Sequence, residues 1–289
     1  MRQQLTPDFD RARRVASLIY DAFNDPKRGI FGHTTMPEDI LPQGVDRGSY
    51  EHRLFITLTV SIDYMRDAEA LWAASRRAYE DDETRYLFFP QEVARAGSAA
   101  VVRDLQRHRL AQRPRQDAHI WHTVSLTLLR KWQGDPLALV QGARYDASTL
   151  LNLAHEEPGF PFLRGPKISA LWVRMLRDNV GLGLRNMDKI PIPTDIHIVR
   201  ATFCTGVLRG KFSGTMSEAR PYVEEAWAAA LPGTGLIPVD IDEPLWHLSR
   251  YGCSARTPSG CPLKEQCPVG AYCARGAISV STKGVEVRT

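Results

Sequence analysis

The sequence predicts an all-α fold. Apolar residues recur at helical spacing along most of the chain, and no convincing strand-like alternation interrupts them. With 43% apolar residues, the 289-residue chain is long enough to bury a sizeable core. No segment approaches the ~20 apolar residues that cross a bilayer, and the sequence shows no secretory signal. We therefore expect a cytoplasmic protein without a membrane partner.

The helices are predicted from their spacing and their end signals. The segment 50–80 predicts two successive helices, of which the second is Ala-rich. The first places five apolar residues on one face: Leu54, Phe55, Leu58, Ile62 and Met65. The segments 90–110 and 117–135 repeat this spacing, and Gly134 and Pro136 stop the second. Shorter helices are predicted within 146–155, 165–178, 194–208 and 217–231.

Two irregular segments indicate that the helices form two subdomains. Residues 24–48 are rich in Gly, Pro and Asp, and residues 178–193 carry two glycines and two prolines. We expect one subdomain over 51–185 and a second formed by 1–50 together with 186–289.

Five cysteines are unevenly distributed. Cys204 stands alone in an apolar helical stretch, which is typical of a buried thiol. The other four lie within 21 residues: Cys253, Cys261, Cys267 and Cys273. Without a secretory signal, such a cluster indicates a metal site more than two disulfides. Four thiolates suit a [4Fe–4S] cluster or a tetrahedral Zn²⁺ ion, and their spacing does not separate the two.

Two further residues stand where helices are predicted to begin. Lys167 follows a Gly-Pro turn and lies in the first turn of a predicted helix, where free backbone N–H groups bind a phosphate well. Asp195 follows a Pro-containing entry to another helix. The simpler interpretations are a solvated lysine and an N-cap aspartate, which stabilises a helix by about 1 kcal/mol.

Three motifs, in this order, resemble those of the endonuclease III family of helix-hairpin-helix DNA glycosylases. They are "FLRGPKISA", similar to the family's hairpin; "TDIHIVR", similar to its Asp-containing motif; and "SRYGCSARTPSGCPLKEQCPVGAYC", similar to its cluster loop. The cysteine spacing and the hairpin depart from the usual family pattern. The longer separation of Lys167 from Asp195 looks more like the archaeal 8-oxoguanine glycosylases of the same superfamily.

The resemblance implies a helix-hairpin-helix glycosylase fold, with a barrel-like first subdomain, an active-site cleft between the two subdomains and a four-cysteine loop holding a [4Fe–4S] cluster, with Zn²⁺ as the alternative. It implies that Lys167 and Asp195 are catalytic. It assigns DNA binding to Arg164, Gly165, Ser169, His197 and Arg200. It places the base pocket, or the group inserted into the duplex, at Ser61, Asp63 and Tyr64. Members of the family act mostly as monomers, so we expect a monomer here.

The implied function is excision of a damaged or modified base from double-stranded DNA after base flipping. In this interpretation Lys167 forms a Schiff base and β-elimination follows. The biological role would be repair or defence against phage DNA that carries modified bases. Three alternatives stay open: a monofunctional enzyme in which Asp195 activates water, a non-catalytic DNA-binding protein, and a zinc-stapled helical protein that binds RNA or protein. The net charge of +4 fits a polyanionic partner but does not require one.

Overall fold

The computed structural model of the chain describes residues 4–257 and 259–289. These residues form eleven α-helices: α1 (Phe9–Phe23), α2 (Tyr50–Val60), α3 (Ala68–Glu80), α4 (Pro90–Arg107), α5 (Pro114–Lys131), α6 (Pro136–Gly142), α7 (Ala147–Glu156), α8 (Pro166–Asp178), α9 (Ile196–Cys204), α10 (Met216–Ala230) and α11 (Asp242–Tyr251). Four strands accompany them: β1 (Gln4–Pro7), β2 (Leu208–Gly214), β3 (Ala277–Ser281) and β4 (Gly284–Arg288). Among these described helices, none combines the length and apolarity that a membrane span requires.

Backbone contacts divide the chain into two units. Unit 1 consists of Met1–Thr34 and Pro191–Thr289, and unit 2 of Thr35–Ile190. Unit 2 contains α2 to α8 and is helical in its described structure, whereas unit 1 contains α1, α9 to α11 and all four strands. Unit 2 is continuous in sequence, whereas unit 1 is assembled from two separate stretches.

The two helices predicted within 50–80 are confirmed, but the first is shorter than its apolar spacing predicted. Leu54, Phe55, Leu58 and Ile62 are buried as expected. The first helix, however, ends at Val60, and Met65 is 62% exposed with a left-handed φ of 50°. The break has a local cause, because the Asp67 side chain accepts the Ala70 N–H and starts α3 as a new helix.

Other predicted helix ends are confirmed. Gly134 adopts a φ of 76° and donates its N–H to the carbonyl of Leu128, which terminates α5. Asp135 then accepts the Leu137 N–H and caps α6, while its carboxylate also pairs with Arg53 at 2.6 Å. A single residue therefore starts one helix and ties it to α2.

Helix α8 is buried on all sides in unit 2. Its nine successive residues from Ile168 to Leu176 are buried, and they include Arg174. The Arg174 guanidinium donates to the Glu38 carboxylate at 2.6 Å, and both side chains are almost without exposure. Burial raises the pKa of Glu38, and the adjacent guanidinium opposes that rise. The pair anchors the segment that precedes α2 to the centre of unit 2.

Unit 1 is a helical layer with a small sheet. The strand order is β1-β2-β4-β3, and all neighbours are antiparallel. Phe212 of β2 and Val285 and Val287 of β4 share a core with α1, α9 and α10. Within this core the Trp227 indole N–H donates to Thr202 at 3.0 Å. The central position of α9 fixes the residue that precedes it, Asp195.

The sheet corrects the all-α prediction, although the chain is mainly helical. The strands are four to seven residues long, too short for alternation to stand out in the sequence. Gly210 disguises β2 further, because its φ of 125° and the approach of the Gln4 carbonyl leave no space for a side chain.

The Arg174–Glu38 pair predicts a large effect on stability. We expect Glu38→Ala to lower the free energy of unfolding by about 3–5 kcal/mol, because it removes the carboxylate that compensates the buried arginine charge. Chemical denaturation followed by circular dichroism measures the loss. The double variant Glu38→Met/Arg174→Met should lose clearly less than the two single variants added together. A loss below about 1 kcal/mol in Glu38→Ala would contradict the assigned role.

Candidate active site and cysteine cluster

Lys167 lies in the first turn of α8, as predicted. Gly165 is the N-cap and Pro166 the first helical residue. The preceding hairpin is tight, because the Gly165 N–H donates to the Phe162 carbonyl at 2.7 Å and Phe162 adopts a left-handed φ of 64°. Since α8 is buried behind it, the start of the helix and the lysine that it carries are held in a defined position.

The Lys167 amine contacts a carboxylate. Its Nζ lies 2.7 Å from Oδ2 of Asp63, with side-chain exposures of 24% and 11%. An ammonium group at the N-terminal end of a helix is disfavoured by the helix dipole, and Gly165 has no side chain that would cap this end. Asp63 supplies the missing negative charge. The structure thus joins two residues for which the sequence indicated separate roles.

The three residues of the predicted base pocket differ in accessibility. Ser61 is fully buried, and its hydroxyl donates to the Leu58 carbonyl at 2.7 Å. Asp63 is engaged with Lys167. Tyr64 is 42% exposed and packs against the Phe162 ring, with 5.2 Å between ring centroids. Asp63 and Tyr64 are therefore presented beside the hairpin, whereas the Ser61 side chain points into the core.

The predicted DNA-binding residues of the hairpin also divide into two groups. The Arg164 side chain is exposed. Ser169 is fully buried, and its hydroxyl donates to the Gly165 carbonyl at 2.9 Å and lies 2.7 Å from Nε2 of His155. Burial lowers the pKa of His155. Ser169 thus supports the hairpin from inside, and Arg164 faces solvent.

Asp195 caps α9, which is the simpler role that its position indicated. Its Oδ1 accepts the N–H groups of His197 at 2.7 Å and Ile198 at 3.0 Å. Within residues 4–257 and 259–289, no group donates a hydrogen bond to its other oxygen, Oδ2. The carboxylate is half-buried and held through one oxygen, so the second oxygen has a fixed direction.

His197 and Arg200 pack inside unit 1. Nδ1 of His197 lies 3.3 Å from the Ser249 hydroxyl, and its ring packs against Trp246. Arg200 donates to the same hydroxyl at 3.3 Å and to the Val280 carbonyl at 3.1 Å. These contacts attach α9 to α11 and β3, and they hold the helix that Asp195 caps.

The four clustered cysteines lie in a loop of short 3-10 turns that closes on the end of α9. The Ala274 N–H donates to the Cys204 carbonyl at 2.8 Å, and Arg256 donates to the Ala274 carbonyl at 2.7 Å. From α1, Arg11 donates to the carbonyls of Tyr272 at 2.8 Å and Thr205 at 3.2 Å. Guanidinium and backbone hydrogen bonds thus fold the loop against unit 1.

The cysteine thiols of this loop change one another's pKa values. Burial raises the pKa of Cys267 to about 11, with further contributions from Cys273 and Cys261. A hydrogen bond with Cys204 raises the pKa of Cys253 well above its usual value, and the same bond lowers the pKa of Cys204. Cys204 is buried, as predicted, and its hydrogen bond with Cys253 was not indicated by any pattern in the sequence.

The donor chemistry of the loop fits a thiolate-bound metal. Burial and mutual repulsion disfavour several thiolates close together, and a bound Zn²⁺ ion or [4Fe–4S] cluster would compensate that charge. In the described part of the chain, no three His, Cys, Asp or Glu side chains stand in an arrangement that already forms a metal site. The four cysteines therefore fit a bound metal in their chemistry and in their shared location in one loop.

Comparison with models of known protein families gives no match, and comparison with curated protein sequences gives none either. The likeness of three motifs to the glycosylases is therefore a hypothesis. The geometry around Lys167 and Asp195 and the geometry of the cysteine loop are independent observations that bear on it.

The capping geometry of Asp195 yields a prediction that separates structure from chemistry. Asp195→Ala should lower the free energy of unfolding by about 1 kcal/mol, because two backbone N–H groups lose their acceptor. Asp195→Asn should lose little, since the amide oxygen can accept the same bonds. Denaturant titration of both variants tests this. Equal losses in the two variants would show that the negative charge, and not the cap, stabilises α9.

Proposed function

We propose that this protein is a DNA glycosylase that excises a damaged or modified base, with an associated lyase activity through Lys167. The motif resemblance supplies the reaction class. The observation that carries the proposal is the 2.7 Å contact of the Lys167 amine with the Asp63 carboxylate. A nucleophile paired with a proton acceptor is what Schiff-base chemistry requires.

The amine must be neutral before it attacks. In the proposed reaction Asp63 accepts a proton from Nζ of Lys167, and the helix dipole at the start of α8 favours the loss of that positive charge. The immediate contact means that no intervening water is needed for the transfer. Because α8 is buried, the amine and the carboxylate start from a fixed relative position.

The proposed reaction passes through an imine between Lys167 and the sugar. The Nζ lone pair forms a bond to C1′ of the sugar, and the bond from C1′ to the base breaks, with its electron pair and a proton leaving on the base. Nζ next forms the imine with C1′ while the ring oxygen departs and takes a proton. Removal of a C2′ proton and departure of the 3′-phosphate complete β-elimination.

Asp195 is proposed to stabilise positive charge on the sugar. A carboxylate that is fixed through Oδ1 and free at Oδ2 needs little rearrangement to act on developing charge. The Arg164 side chain and the N-terminal end of α8 are proposed to bind the DNA phosphates. Asp63 and Tyr64 then lie beside the excised base, and double-stranded DNA is the proposed partner.

The four clustered cysteines are proposed to bind a [4Fe–4S] cluster, with Zn²⁺ as the alternative. The bound group would cross-link the loop 253–273 and stabilise its fold. No step of the proposed reaction passes through it. The basic residues in this loop and next to its ends, Arg250, Arg256, Lys264 and Arg275, would add positive charge toward DNA.

The same ion pair supports a second candidate, the monofunctional enzyme. A carboxylate in contact with Lys167 stabilises its charged form, which is not nucleophilic. If that form persists when DNA is bound, Asp195 would activate a water molecule through its free oxygen, and no covalent intermediate would form.

Borohydride trapping tests the lyase activity. Purified protein is incubated with duplexes that each contain one modified base or one abasic site, and borohydride is then added. We expect a covalent complex, lost in Lys167→Ala and retained in Lys189→Ala, an exposed lysine in the same unit. Asp63→Asn should slow trapping, because the proposed proton acceptor is gone.

The other outcomes of this assay also decide between candidates. Base release without trapping, lost in Asp195→Asn by about 100-fold or more, would establish the monofunctional enzyme. Neither release nor trapping on a broad panel of bases, with binding to DNA intact, would contradict the enzymatic proposal.

Metal content tests the cluster. Anaerobically purified protein should contain about four iron and four sulfide per chain, or one zinc, and Cys261→Ser and Cys273→Ser should lose most of it. Cys204→Ala serves as the control and should retain the metal. Elemental analysis and visible absorption distinguish the two metals. Metal-free protein whose thiols react fully with a chromogenic reagent would contradict the assignment.

A further inference from the structure

The outer face of the sheet in unit 1 carries two cations opposite each other. Phe212 of β2 and Val285 and Val287 of β4 are buried in the core. Lys211 and Arg288, which alternate with them, are exposed on the other face. The strand register pairs Lys211 directly with Arg288. Such facing residues have Cβ atoms about 4.5–5.5 Å apart, so the two side chains start side by side. We call them the facing cations.

The facing cations are not compensated within the sheet. Like charges directly opposite each other on two strands destabilise a sheet. In residues 4–257 and 259–289, neither cation has an ion-pair partner. Glu286 lies on the same face, but its carboxylate accepts the Ser213 hydroxyl at 2.6 Å. Arg209, the third cation of this face, pairs with Asp8 at 2.6 Å. The repulsion between the facing cations therefore remains in the folded chain.

Protection of a sheet edge does not explain the facing cations. Exposed lysines on edge strands commonly prevent a sheet from pairing with another chain. In the order β1-β2-β4-β3, however, Lys211 and Arg288 lie on the two central strands, which have neighbours on both sides. A charge on these strands protects no free edge. A partner of opposite charge outside the chain would remove the repulsion.

The row that contains the facing cations is open to such a partner. Gln4 of β1 faces Lys211, and Ala277 of β3 faces Arg288, so the row crosses all four strands. Gln4 and Ala277 are exposed and uncharged, and the short side chain of Ala277 leaves one side of Arg288 uncovered. An extended polyanion can therefore contact both cations at once.

We propose that the outer face of this sheet binds the phosphate backbone of double-stranded DNA through Lys211 and Arg288. Lysine and arginine contacts to phosphates position a protein on a duplex without reading its bases, and the release of counterions drives them. The choice of DNA among polyanions rests on the proposed function, whereas the uncompensated charge of the face does not. Because neither cation belongs to the groups assigned to the chemistry, the face binds undamaged DNA as well.

The salt dependence of DNA binding tests this contact without any chemistry. Fluorescence anisotropy measures the affinity of the full chain for a labelled, undamaged duplex between 50 and 200 mM salt. In Lys211→Gln/Arg288→Gln, the slope of log affinity against log salt should become shallower by about 1.8, which is about 0.9 for each lost phosphate contact. The affinity advantage of the unsubstituted protein should then shrink about 12-fold across this range. Arg14→Gln/Lys27→Gln, which removes two exposed charges elsewhere in unit 1, is the control and should keep the slope.

Reversal of one charge separates DNA binding from folding. Lys211→Glu places a carboxylate opposite Arg288 and replaces repulsion by attraction. Its unfolding midpoint in denaturant should therefore rise, while its affinity for the duplex should fall below that of Lys211→Gln. A merely structural role of Lys211 would give the opposite pattern, with a lower midpoint and unchanged binding, and would overturn the proposal.

The outcomes distinguish this proposal from the preceding one. No binding to the duplex at 50 mM salt, or the same slope in both double variants, would overturn the DNA contact whatever the trapping assay gives. Loss of binding to phosphatidylserine vesicles in Lys211→Gln/Arg288→Gln, with duplex binding unchanged, would assign the face to a membrane surface and overturn DNA as its partner. The expected slope, in a protein that neither releases nor traps a base, would support the DNA contact and contradict the enzymatic proposal alone.

Discussion

The burial of α8 on every side is the constraint on which the candidate active site depends. A helix with a solvent-facing side can rotate or shift at low cost, but nine consecutive buried residues fix the rotation and the register of α8. Its two buried polar side chains each have a partner, Arg174 at Glu38 and Ser169 at the Gly165 carbonyl. This packing fixes the position of the hairpin and of the Lys167 backbone. The long side chain of Lys167 therefore starts from a defined point.

Two carboxylates are held in different ways and are suited to different tasks. Asp63 is paired with a cation that compensates its charge, and in the proposed reaction it exchanges a proton with that partner. Asp195 is held by two backbone N–H groups, which orient it without neutralising it fully. This division resembles the way enzymes obtain separate roles from chemically identical groups through their surroundings.

Local signals in the sequence predicted the helix ends well and long-range contacts poorly. Gly134, the Gly165-Pro166 turn and Asp195 act through their own backbone, so their effects were visible in the sequence. The Lys167–Asp63 pair joins residues 104 positions apart, and no periodicity records such a contact. The hydrogen bond between Cys204 and Cys253 was not predicted for the same reason, because each residue had an adequate local explanation. The short strands were not predicted, because they are defined by their pairing partners and not by their composition.

The sheet of unit 1 carries a consequence for the synthesis of the chain. Strand β1 pairs with β2, so the segment that ends at Thr34 finds its partners only after residue 191 has been made. At ~5–20 residues per second this delay is roughly 10–30 s, and during it the apolar face of α1 has no native surface to cover it. Unit 2, continuous in sequence, is free to fold during that interval. The apolar face of α1 therefore stays without its native contacts until the second stretch of unit 1 has been made.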